Sequence, residues 1–485
     1  MTSNLLILRC AVVAALGGFL FGFDTAVISG AVDSLQTVFE LNAWGKGFAV
    51  ASALIGTVIG SIVVGRPADA FGRRSVMFVL AVLYFVSAIG SALAPDVATF
   101  IVFRMIGGLA VGGASVVAPM YIAEIAPPAS RGRLVALVQF NIVFGILVAF
   151  ASNYLIAQYG RGVSAAGVDS GDPAALEAAF RAWLDGSGWR IMLGIEAVPA
   201  LAYFLLLFGT PRSPRWLLAR HREDEARVVL ARLNGDTEDT DALVDEIKGS
   251  LDAERDSLKE PFFQKKYFRP IMLAVAIAAF NQLSGINAIL YYAPTIFRSA
   301  GFGEQAGLLN SVGLGLMNLV FTMLGLALID HFGRKRLMLI GSIGYILSLG
   351  VAAVAFFTQS QLVETDAGGV AREFTSQGGG YIVFASLLVF IASHAVGQGA
   401  VIWVFISEIF PNRLRARGQA LGSFTHWIFA AAISQTFPLI AEQSGGFVFA
   451  FYALCMVGQL IWVLVAMPET KGVALEEIQK RMDIQ

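Results

Sequence analysis

Long apolar stretches, separated by short polar segments, recur from one end of this chain to the other. A membrane-spanning helix needs about 20 mostly apolar residues, and twelve stretches meet that requirement. They are rich in Gly and Ala and do not alternate apolar with polar positions, which predicts helices rather than barrel strands. The predicted spans cover residues 6–32, 47–68, 75–94, 97–120, 133–157, 190–209, 268–298, 306–330, 337–358, 380–407, 417–442 and 447–467.

The composition excludes a soluble globular protein. The 485 residues are 56% hydrophobic and 14% charged, with a mean hydropathy of +0.70, whereas a soluble domain is about 25% charged. A soluble chain of this size cannot bury so much apolar surface. The first stretch contains Arg9 and Asp24 and leads directly into further apolar segments. We therefore interpret it as a retained span and not as a signal peptide.

Basic residues are unevenly divided between the two sets of connecting segments. The termini and the connections on their side hold 27 of the 34 Lys and Arg residues, and the opposite connections hold six. The positive-inside rule then places both termini in the cytoplasm. This predicts a multi-pass protein of the plasma membrane, which would be the inner membrane in a bacterium.

The spans fall into two sets of six around one polar stretch. The polar stretch carries a dense run of charges, and its few apolar residues are spaced for one helical face, which predicts short cytoplasmic helices. The predicted domains are an N-terminal six-helix bundle (1–209), a cytoplasmic helical linker (210–266), a C-terminal six-helix bundle (267–467) and a cytoplasmic tail (468–485).

Several classes of function are excluded by the remaining residues. A net charge of −1 argues against a nucleic-acid partner. Cys10 and Cys455 lie near opposite ends, so no disulfide framework or thiol–metal site is predicted. The glycines of residues 107–113 lie inside a span, where close helix packing explains them better than nucleotide binding. With four scattered histidines and no nucleophile–base pair, we expect neither an enzyme nor a cofactor.

Two charged motifs occur twice, at equivalent places in the two sets of spans. One is D-x-x-G-R-[RK] after the second and eighth spans, and the other is E-I-x-P followed by R-x-R after the fourth and tenth. The charged residues of these cytoplasmic motifs are Asp69, Arg73, Glu124 and Arg131 in the first half and Asp330, Arg334, Glu408 and Arg415 in the second. One copy alone would indicate only a tight turn. Duplication over six spans is typical of a transporter with a central cavity.

Two further motifs follow the sixth and twelfth spans. Residues 211–217 read P-R-S-P-R-W-L, and residues 468–472 read P-E-T-K-G. With the duplicated motifs, they make the chain resemble the sugar porter family of the major facilitator superfamily over essentially its whole length, although Arg212 replaces the family's Glu. The resemblance implies an all-α membrane fold of twelve helices in two six-helix halves. It also implies that the cytoplasmic motifs link helix ends and latch the outward-facing state.

Three ionisable residues lie inside predicted spans, where burying a charge is costly. They are Asp24 in the first span, Arg104 in the fourth and Glu196 in the sixth. A static ion pair that fixes helix packing is one interpretation. The resemblance implies another, because proton-coupled sugar porters carry the proton on an Asp at the position of Asp24 and modulate it with an Arg, whereas animal glucose facilitators have Asn there. Glu196 matches an acidic residue of the family near the same cluster.

Amide and aromatic side chains within the spans are candidates for sugar binding. Asn and Gln offer a donor and an acceptor without charge, and aromatic faces pack on the apolar side of a sugar ring. For any one amide, a helix–helix hydrogen bond is the alternative. The resemblance implies substrate contact for Phe21, Gln139, Asn281, Gln282, Asn287, Asn318, Trp403, His426 and Trp427, and an outer gate formed by Tyr291 and Tyr292.

Two of these residues depart from the family pattern. Asn281 stands where the first Gln of a Q-Q pair is usual, and His426 stands where relatives carry Gln or Asn. A hexose, a pentose or a polyol therefore stays open as the substrate. Gln398 and His394 also lie in the tenth span, but the sequence does not decide whether they face the cavity.

The first hypothesis is a monomeric transporter that imports a monosaccharide with a proton, with the lipid bilayer as its other partner. A sugar or polyol facilitator without proton coupling is the alternative, and Asp24 discriminates between the two. A membrane sugar receptor is disfavoured, because such proteins usually carry long cytoplasmic tails.

Overall fold

The fold is almost entirely helical. The structure is a computed structural model that describes residues 3–128, 130–168, 172–234, 239–257, 261–364, 370–374, 377–411, 413–473, 477–478 and 482.

The N-terminal half contains ten helices, with a 3-10 turn after the first and a π-helical turn between the eighth and ninth. They are α1 (Ser3–Val27), α2 (Val32–Val38), α3 (Ala43–Val63), α4 (Gly65–Phe71), α5 (Arg73–Ala92), α6 (Val97–Ile125), α7 (Arg131–Ala165), α8 (Pro173–Trp183), α9 (Trp189–Gly194) and α10 (Ala197–Leu207). Three helices follow in the region predicted as a linker. They are α11 (Pro214–Ala219), α12 (Glu223–Asn234) and α13 (Thr240–Ser257).

The C-terminal half contains nine helices and one antiparallel hairpin, with a π-helical turn at Ala395–Gly399. The elements are α14 (Phe268–Leu283), α15 (Ile286–Tyr291), α16 (Ala293–Ser299), α17 (Glu304–Phe332), α18 (Arg334–Gln359), β1 (Ser360–Glu364), β2 (Val370–Phe374), α19 (Gln377–His394), α20 (Ala400–Ile409), α21 (Arg415–Gln443) and α22 (Gly445–Val465).

Eleven helical stretches of the described chain are long and apolar enough to cross a membrane. The remaining predicted span, 417–442, corresponds to α21, which has 29 residues but is less apolar. This helix packs against α3 of the other half and against α14, α20 and α22. Because protein rather than lipid covers much of it, polar side chains are tolerated there. The predicted twelve-helix fold is confirmed, and α21 is the one span of the twelve that falls short in apolar character.

The structure corrects three predicted boundaries. Helix α7 continues to Ala165, beyond the predicted end at 157, and the sixth span begins at Pro173. The predicted seventh span is not one helix, because its chain breaks at Gly285. Between α18 and α19 the chain forms the β1–β2 hairpin, and residues 365–369 and 375–376 lie outside the described residues. Hydropathy marks the apolar part of a helix, so it misses polar extensions and breaks.

Three large apolar clusters organise the core. One contains Phe150, Tyr292 and Phe437 and joins the two halves. The other two lie one in each half. Following the predicted orientation, we call the end formed by α2, α8 and α16 the outer end and the end bearing α11–α13 the cytoplasmic end. The shared cluster therefore closes the two halves on each other toward the outer end.

Glycines set the closest helix contacts. A Cβ atom on Gly22 of α1 would lie 1.8 Å from the carbonyl oxygen of Ile142 on α7. One on Gly108 of α6 would lie 1.9 Å from the carbonyl oxygen of Ala53 on α3. Backbones approach this closely only where a side chain is missing. The prediction that the glycines of residues 107–113 serve helix packing is confirmed.

Candidate transport site

A buried ion pair joins α1 to α6. The Arg104 guanidinium donates through Nη1 to Asp24 Oδ1 at 2.5 Å and through Nη2 to Oδ2 at 3.3 Å. Asp24 is 3% exposed and Arg104 is 2% exposed. Gly107 gives the pair room, because a Cβ there would lie 3.6 Å from Asp24 Oδ1 and 2.4 Å from Ser87 Oγ. Two charges in a low-dielectric interior are tolerated because each neutralises the other.

Glu196 completes this charged cluster. It lies between α9 and α10, where the helix is interrupted, and it is 2% exposed. Its carboxyl group interacts electrostatically with both Asp24 and Arg104. Its Oε1 atom and the hydroxyl of Tyr84 are buried without a hydrogen-bond partner among the described residues. A carboxyl oxygen in that position needs a proton or a water molecule as its partner.

The break between α14 and α15 positions a second cluster in the other half. Gly285 has a φ of 86°, a left-handed conformation that favours glycine. A Cβ on Gly285 would also lie 2.4 Å from the ring of Tyr452. Asn281 and Gln282 end the first segment, and Asn287 begins the next. Discontinuous helices of this kind expose polar groups to binding sites in transporters.

The amides around the break form one hydrogen-bonded network. Gln282 Nε2 donates to Asn281 Oδ1 at 2.9 Å, and Asn287 Nδ2 donates to Gln282 Oε1 at 2.8 Å. The same Gln282 nitrogen lies 3.2 Å and 3.3 Å from the two ring nitrogens of His426 on α21. The amide side chains of this network are uncharged, and each offers both a hydrogen-bond donor and a hydrogen-bond acceptor.

Aromatic rings connect this network to the charged cluster. The centre of the His426 ring lies 5.4 Å from the ring centre of Trp403 and 4.7 Å from that of Trp427. The ring centres of Trp427 and Phe21 on α1 are 5.5 Å apart. Phe21 precedes Asp24 by three residues, so it lies close to Asp24 on α1. A series of ring contacts therefore leads from the amide network to Phe21, about one helical turn from Asp24.

Two predicted binding residues stand apart from this network. Gln139 is half-buried on α7 and makes no hydrogen bond to the residues that the structure describes. Asn318 on α17 is buried, and its Oδ1 accepts a hydrogen bond from Thr322 at 3.3 Å. The structure places both within the membrane-spanning helices without linking them to the amide network.

The predicted outer gate residues are both buried. Tyr292 is fully buried, stacks on Phe437 at 4.7 Å, and donates from its hydroxyl to the carbonyl oxygen of Ser434 at 3.1 Å. Tyr291 is 4% exposed and interacts with Thr25 beside the charged cluster. Both rings therefore lie between the halves in a closed arrangement.

Two polar contacts in the C-terminal half could not be assigned from the sequence. His394 Nδ1 lies 2.6 Å from the Tyr345 hydroxyl, and its electrostatic interaction with His426 places it near the amide network. Gln398 is fully buried and donates to Gln459. The sequence did not decide whether His394 and Gln398 face the cavity. In the structure, His394 lies beside the amide network, whereas Gln398 forms a hydrogen bond to α22.

A group of charged residues at the outer end joins the two halves, and the sequence analysis did not single it out. We call this group the outer network: Asp33, Lys46 and Arg181 from the N-terminal half, and Thr295, Arg298 and Glu304 from the C-terminal half. Its six members are scattered over five helices, and each charged member resembles an ordinary loop charge in the sequence.

Asp33 is the centre of the outer network. It accepts from Lys46 at 2.8 Å and from Thr295 at 2.8 Å, and it pairs with Arg298. Glu304 accepts from Arg298 at 2.9 Å and from Arg181 at 3.0 Å. Burial alone would raise the pKa of Asp33, but the charges of Lys46 and Arg298 outweigh it and hold that pKa well below its ordinary value.

At the cytoplasmic end, the first pair of motifs forms contacts within the N-terminal half. Arg73 donates to Glu124 at 2.9 Å and to Asp69 at 2.9 Å. The Asp69 side chain is 72% exposed. Arg131, predicted to share this cluster, is exposed at the start of α7.

The second pair of motifs repeats this arrangement in the C-terminal half. Arg334 donates to Glu408 at 2.7 Å and to Asp330 at 3.2 Å. Glu469 of the P-E-T-K-G motif accepts from the Arg334 backbone N–H at 3.0 Å, and Arg415 is exposed. Six of the eight predicted motif residues thus meet within their own half, without Arg131 and Arg415, and these contacts do not join the halves.

The profile of the family described as "Sugar (and other) transporter" matches residues 10–482 of this chain. The chain belongs to that family. It is 37% identical to the D-xylose-proton symporter of Escherichia coli over 98% of this chain and 95% of the relative. It is 35% identical to the arabinose-proton symporter of Bacillus subtilis, over 98% and 94% of the two chains.

The solved structure of a relative shares the fold of this chain. The inward open conformation of the Escherichia coli xylose transporter superposes with a TM-score of 0.80 at 36% identity, covering 98% of this chain and 99% of that chain. The major facilitator fold inferred from the motifs is confirmed by this likeness, and the protein is a multi-pass membrane protein.

Proposed function

We propose that the protein is a secondary active transporter that imports a monosaccharide, a hexose or a pentose, together with a proton by alternating access. The observation that carries this proposal is the buried Asp24–Arg104 pair beside the amide network. Both similar relatives are named as proton symporters of pentoses. We propose no enzymatic reaction, since its relatives are transporters.

Asp24 is the proposed proton carrier. While Asp24 is ionised, two charge-assisted hydrogen bonds hold Arg104 to it. A proton on Asp24 cancels its charge and weakens both bonds, which frees Arg104 to turn toward Glu196. This exchange of partners keeps the buried guanidinium paired in both states, and it loosens the contact between α1 and α6.

The amide network is the proposed sugar site. Gln282, Asn287 and His426 already exchange hydrogen bonds, so a sugar hydroxyl can replace one protein partner without leaving another unpaired. A hydroxyl buried without a partner costs about 1–3 kcal/mol, which makes the site selective for the hydroxyl pattern. Trp403 and Trp427 supply apolar faces for the ring carbons. Asn281, Gln139, Asn318 and Phe21 complete the proposed site.

We propose that the structure corresponds to the inward-facing state. The outer network holds the halves together at the outer end, while the cytoplasmic motifs make their contacts within each half. In the outward-facing state the outer network opens. The exposed Arg131 and Arg415 then pair with carboxylates of the opposite half, which would latch the cytoplasmic end.

The proton supplies enough energy for accumulation. One charge crossing about 100 mV provides about 2.3 kcal/mol. Since 1.4 kcal/mol corresponds to a factor of ten, this supports about fiftyfold accumulation of a neutral sugar. One carboxylate therefore suffices for concentrative uptake.

The proposed setting is the plasma membrane, with both termini in the cytoplasm and a monomer as the working unit. The proposed units are the six-helix bundles 1–209 and 267–467, the linker 210–266 and the tail 468–485. The small linker cluster around Trp216 and Val244 supports a linker that packs as a unit of its own.

Uptake into vesicles tests both parts of the proposal together. Labelled xylose is offered to vesicles that contain the protein, with an imposed proton gradient, while unlabelled pentoses, hexoses and polyols compete. The proposal predicts accumulation that an uncoupler abolishes and that at least one pentose or hexose inhibits. Uptake that merely equilibrates with or without the uncoupler would favour a facilitator, and inhibition by polyols alone would contradict the substrate class.

A further inference from the structure

An apolar groove lies on the N-terminal half near its cytoplasmic end. It encloses about 740 Å³ between α3, α4 and α5, and the residues after α10 cap it. Its walls include Val63, Phe71, Val79 and Leu80, and Arg212 and Trp216 lie at its rim.

The groove opens toward the membrane rather than toward the candidate transport site. All of its lining residues belong to the N-terminal half and the segment after it, so it does not lie between the halves. Val63, Phe71 and Val79 are 55%, 68% and 57% exposed. In a multi-pass membrane protein, exposed apolar side chains of this kind contact acyl chains.

The rim of the groove is positively charged. The Arg212 guanidinium lies 5.3 Å from the centre of the Trp216 ring, and it has no carboxylate within ion-pair distance in the described part of the chain. The nearby carboxylate of Asp69 is already paired with Arg73. Arg220 bonds only backbone carbonyl oxygens here, those of Asp69 and Ala70. Two guanidinium groups thus remain without an acidic partner.

We propose that this groove binds one anionic phospholipid of the cytoplasmic leaflet. The phosphate of the headgroup pairs with Arg212, and one acyl chain lies against Val79 and Leu80. Charge complementarity selects this occupant, because basic groups at the cytoplasmic membrane surface attract anionic headgroups. A zwitterionic lipid fills the same apolar walls, but its own cation opposes the guanidinium.

The proposed lipid lies next to a cytoplasmic motif. Trp216 Nε1 donates to the carbonyl oxygen of Asp69 at 2.9 Å, and a Cβ on Gly72 would lie 3.0 Å from the Trp216 ring. A headgroup on Arg212 therefore touches the same tryptophan that packs on the Asp69–Arg73 turn. Anionic lipid would stabilise this turn in the arrangement seen here.

Native mass spectrometry of the full-length protein tests the proposal. The detergent-purified chain is titrated with dioleoyl phosphatidylglycerol or dioleoyl phosphatidylcholine, and retained lipids are counted. Arg212→Gln removes the headgroup partner, and Val79→Trp fills the groove while keeping the charge. Arg336→Gln is the matched control, because it removes an exposed arginine from the cytoplasmic end of the other half.

The expected result is one phosphatidylglycerol that is retained over phosphatidylcholine by the parent chain and by Arg336→Gln. Arg212→Gln should weaken its retention about fivefold, as expected for one basic residue at the membrane surface. Val79→Trp should weaken the retention of both phosphatidylglycerol and phosphatidylcholine. The proposal is overturned if Arg212→Gln keeps the parent's preference, or if Val79→Trp, eluting as a folded monodisperse protein, retains phosphatidylglycerol as the parent does.

Discussion

The two halves of the molecule solve the problem of buried polarity in different ways. The N-terminal half buries charges, with Asp24 and Arg104 paired at 2.5 Å and Glu196 beside them. The C-terminal half buries neutral amides that bond one another around a broken helix. Charges respond to a proton and amides to hydroxyl groups, so the proposed coupling residues lie in the N-terminal half and most of the proposed sugar-binding amides lie in the C-terminal half.

Removing one charge should have the largest effect of all. Arg104→Met leaves the Asp24 carboxylate buried without its partner, and a broken buried pair costs about 3–5 kcal/mol. We expect a large loss of thermal stability in detergent, measured by intrinsic fluorescence. Asp24→Asn combined with Arg104→Met removes both charges and should recover most of the loss. Equal stability of Arg104→Met and the parent would show that the pair is not what holds α1 to α6.

Removing one amide should affect binding more than stability. Gln282→Ala deletes the centre of the amide network, and the expected loss of sugar affinity is about 1–3 kcal/mol, or about fivefold to 150-fold. Counterflow and proton-driven uptake should weaken by the same factor, because binding precedes both. Gln158→Ala, an exposed glutamine on α7, is the control. A change confined to proton-driven uptake would mean that Gln282 takes part in proton coupling, which would contradict the contrast drawn between the two halves.

A smaller effect is expected at the outer network, which joins the two halves. Arg298→Gln removes one partner of Asp33, but Lys46 and Thr295 still bond it, so we expect the loss of about 1 kcal/mol that one hydrogen bond contributes. We expect labelling of Ser434→Cys by an impermeant maleimide to accelerate up to about fivefold, in a chain with Cys10 and Cys455 replaced by Ser. Arg161→Gln breaks an exposed pair within one half and serves as the control.

Arg298→Lys keeps a positive charge beside Asp33 and Glu304, so it should label more slowly than Arg298→Gln if the ion pair itself holds the outer end closed. Labelling as slow in Arg298→Gln as in the parent would exclude that role.

The same labelling assay has a defined pH dependence. The pKa of Asp33 lies below its ordinary value, so its contribution is present above the unfolded pKa of about 4 and is lost only as the pH falls through the lower folded value. We therefore expect the labelling rate of the parent, corrected for the reactivity of the reagent, to be constant between about pH 5 and pH 8. Acceleration within that window would require another titrating group at the outer end.

Much of this architecture could be predicted from the sequence, because hydropathy and duplicated motifs report on local patterns. Long apolar stretches mark the spans, and the basic residues between them mark the orientation. The duplicated motifs contain the residues of the pairs Arg73–Glu124 and Arg334–Glu408. Asp24 and Arg104 stood out because charges are rare in spans, and the structure brings them into contact.

The outer network could not be predicted, since its residues come from five helices and none is unusual in its own segment. The break at Gly285 was hidden inside the predicted span 268–298, and only the packed ring of Tyr452 shows why glycine is needed. Likewise α21 was predicted as a span, although its covering by other helices, which permits its polar residues, is a property of the assembled fold.

The central claim, that Asp24 couples the proton to the sugar, is tested most directly by Asp24→Asn in vesicles. Two rates are compared in the same preparation: accumulation driven by an imposed proton gradient, and counterflow exchange of sugar at equilibrium. The account predicts that accumulation is abolished while counterflow continues near the parent rate, since the neutral amide mimics the protonated carboxyl. Uncoupler-sensitive accumulation that survives in Asp24→Asn would contradict it.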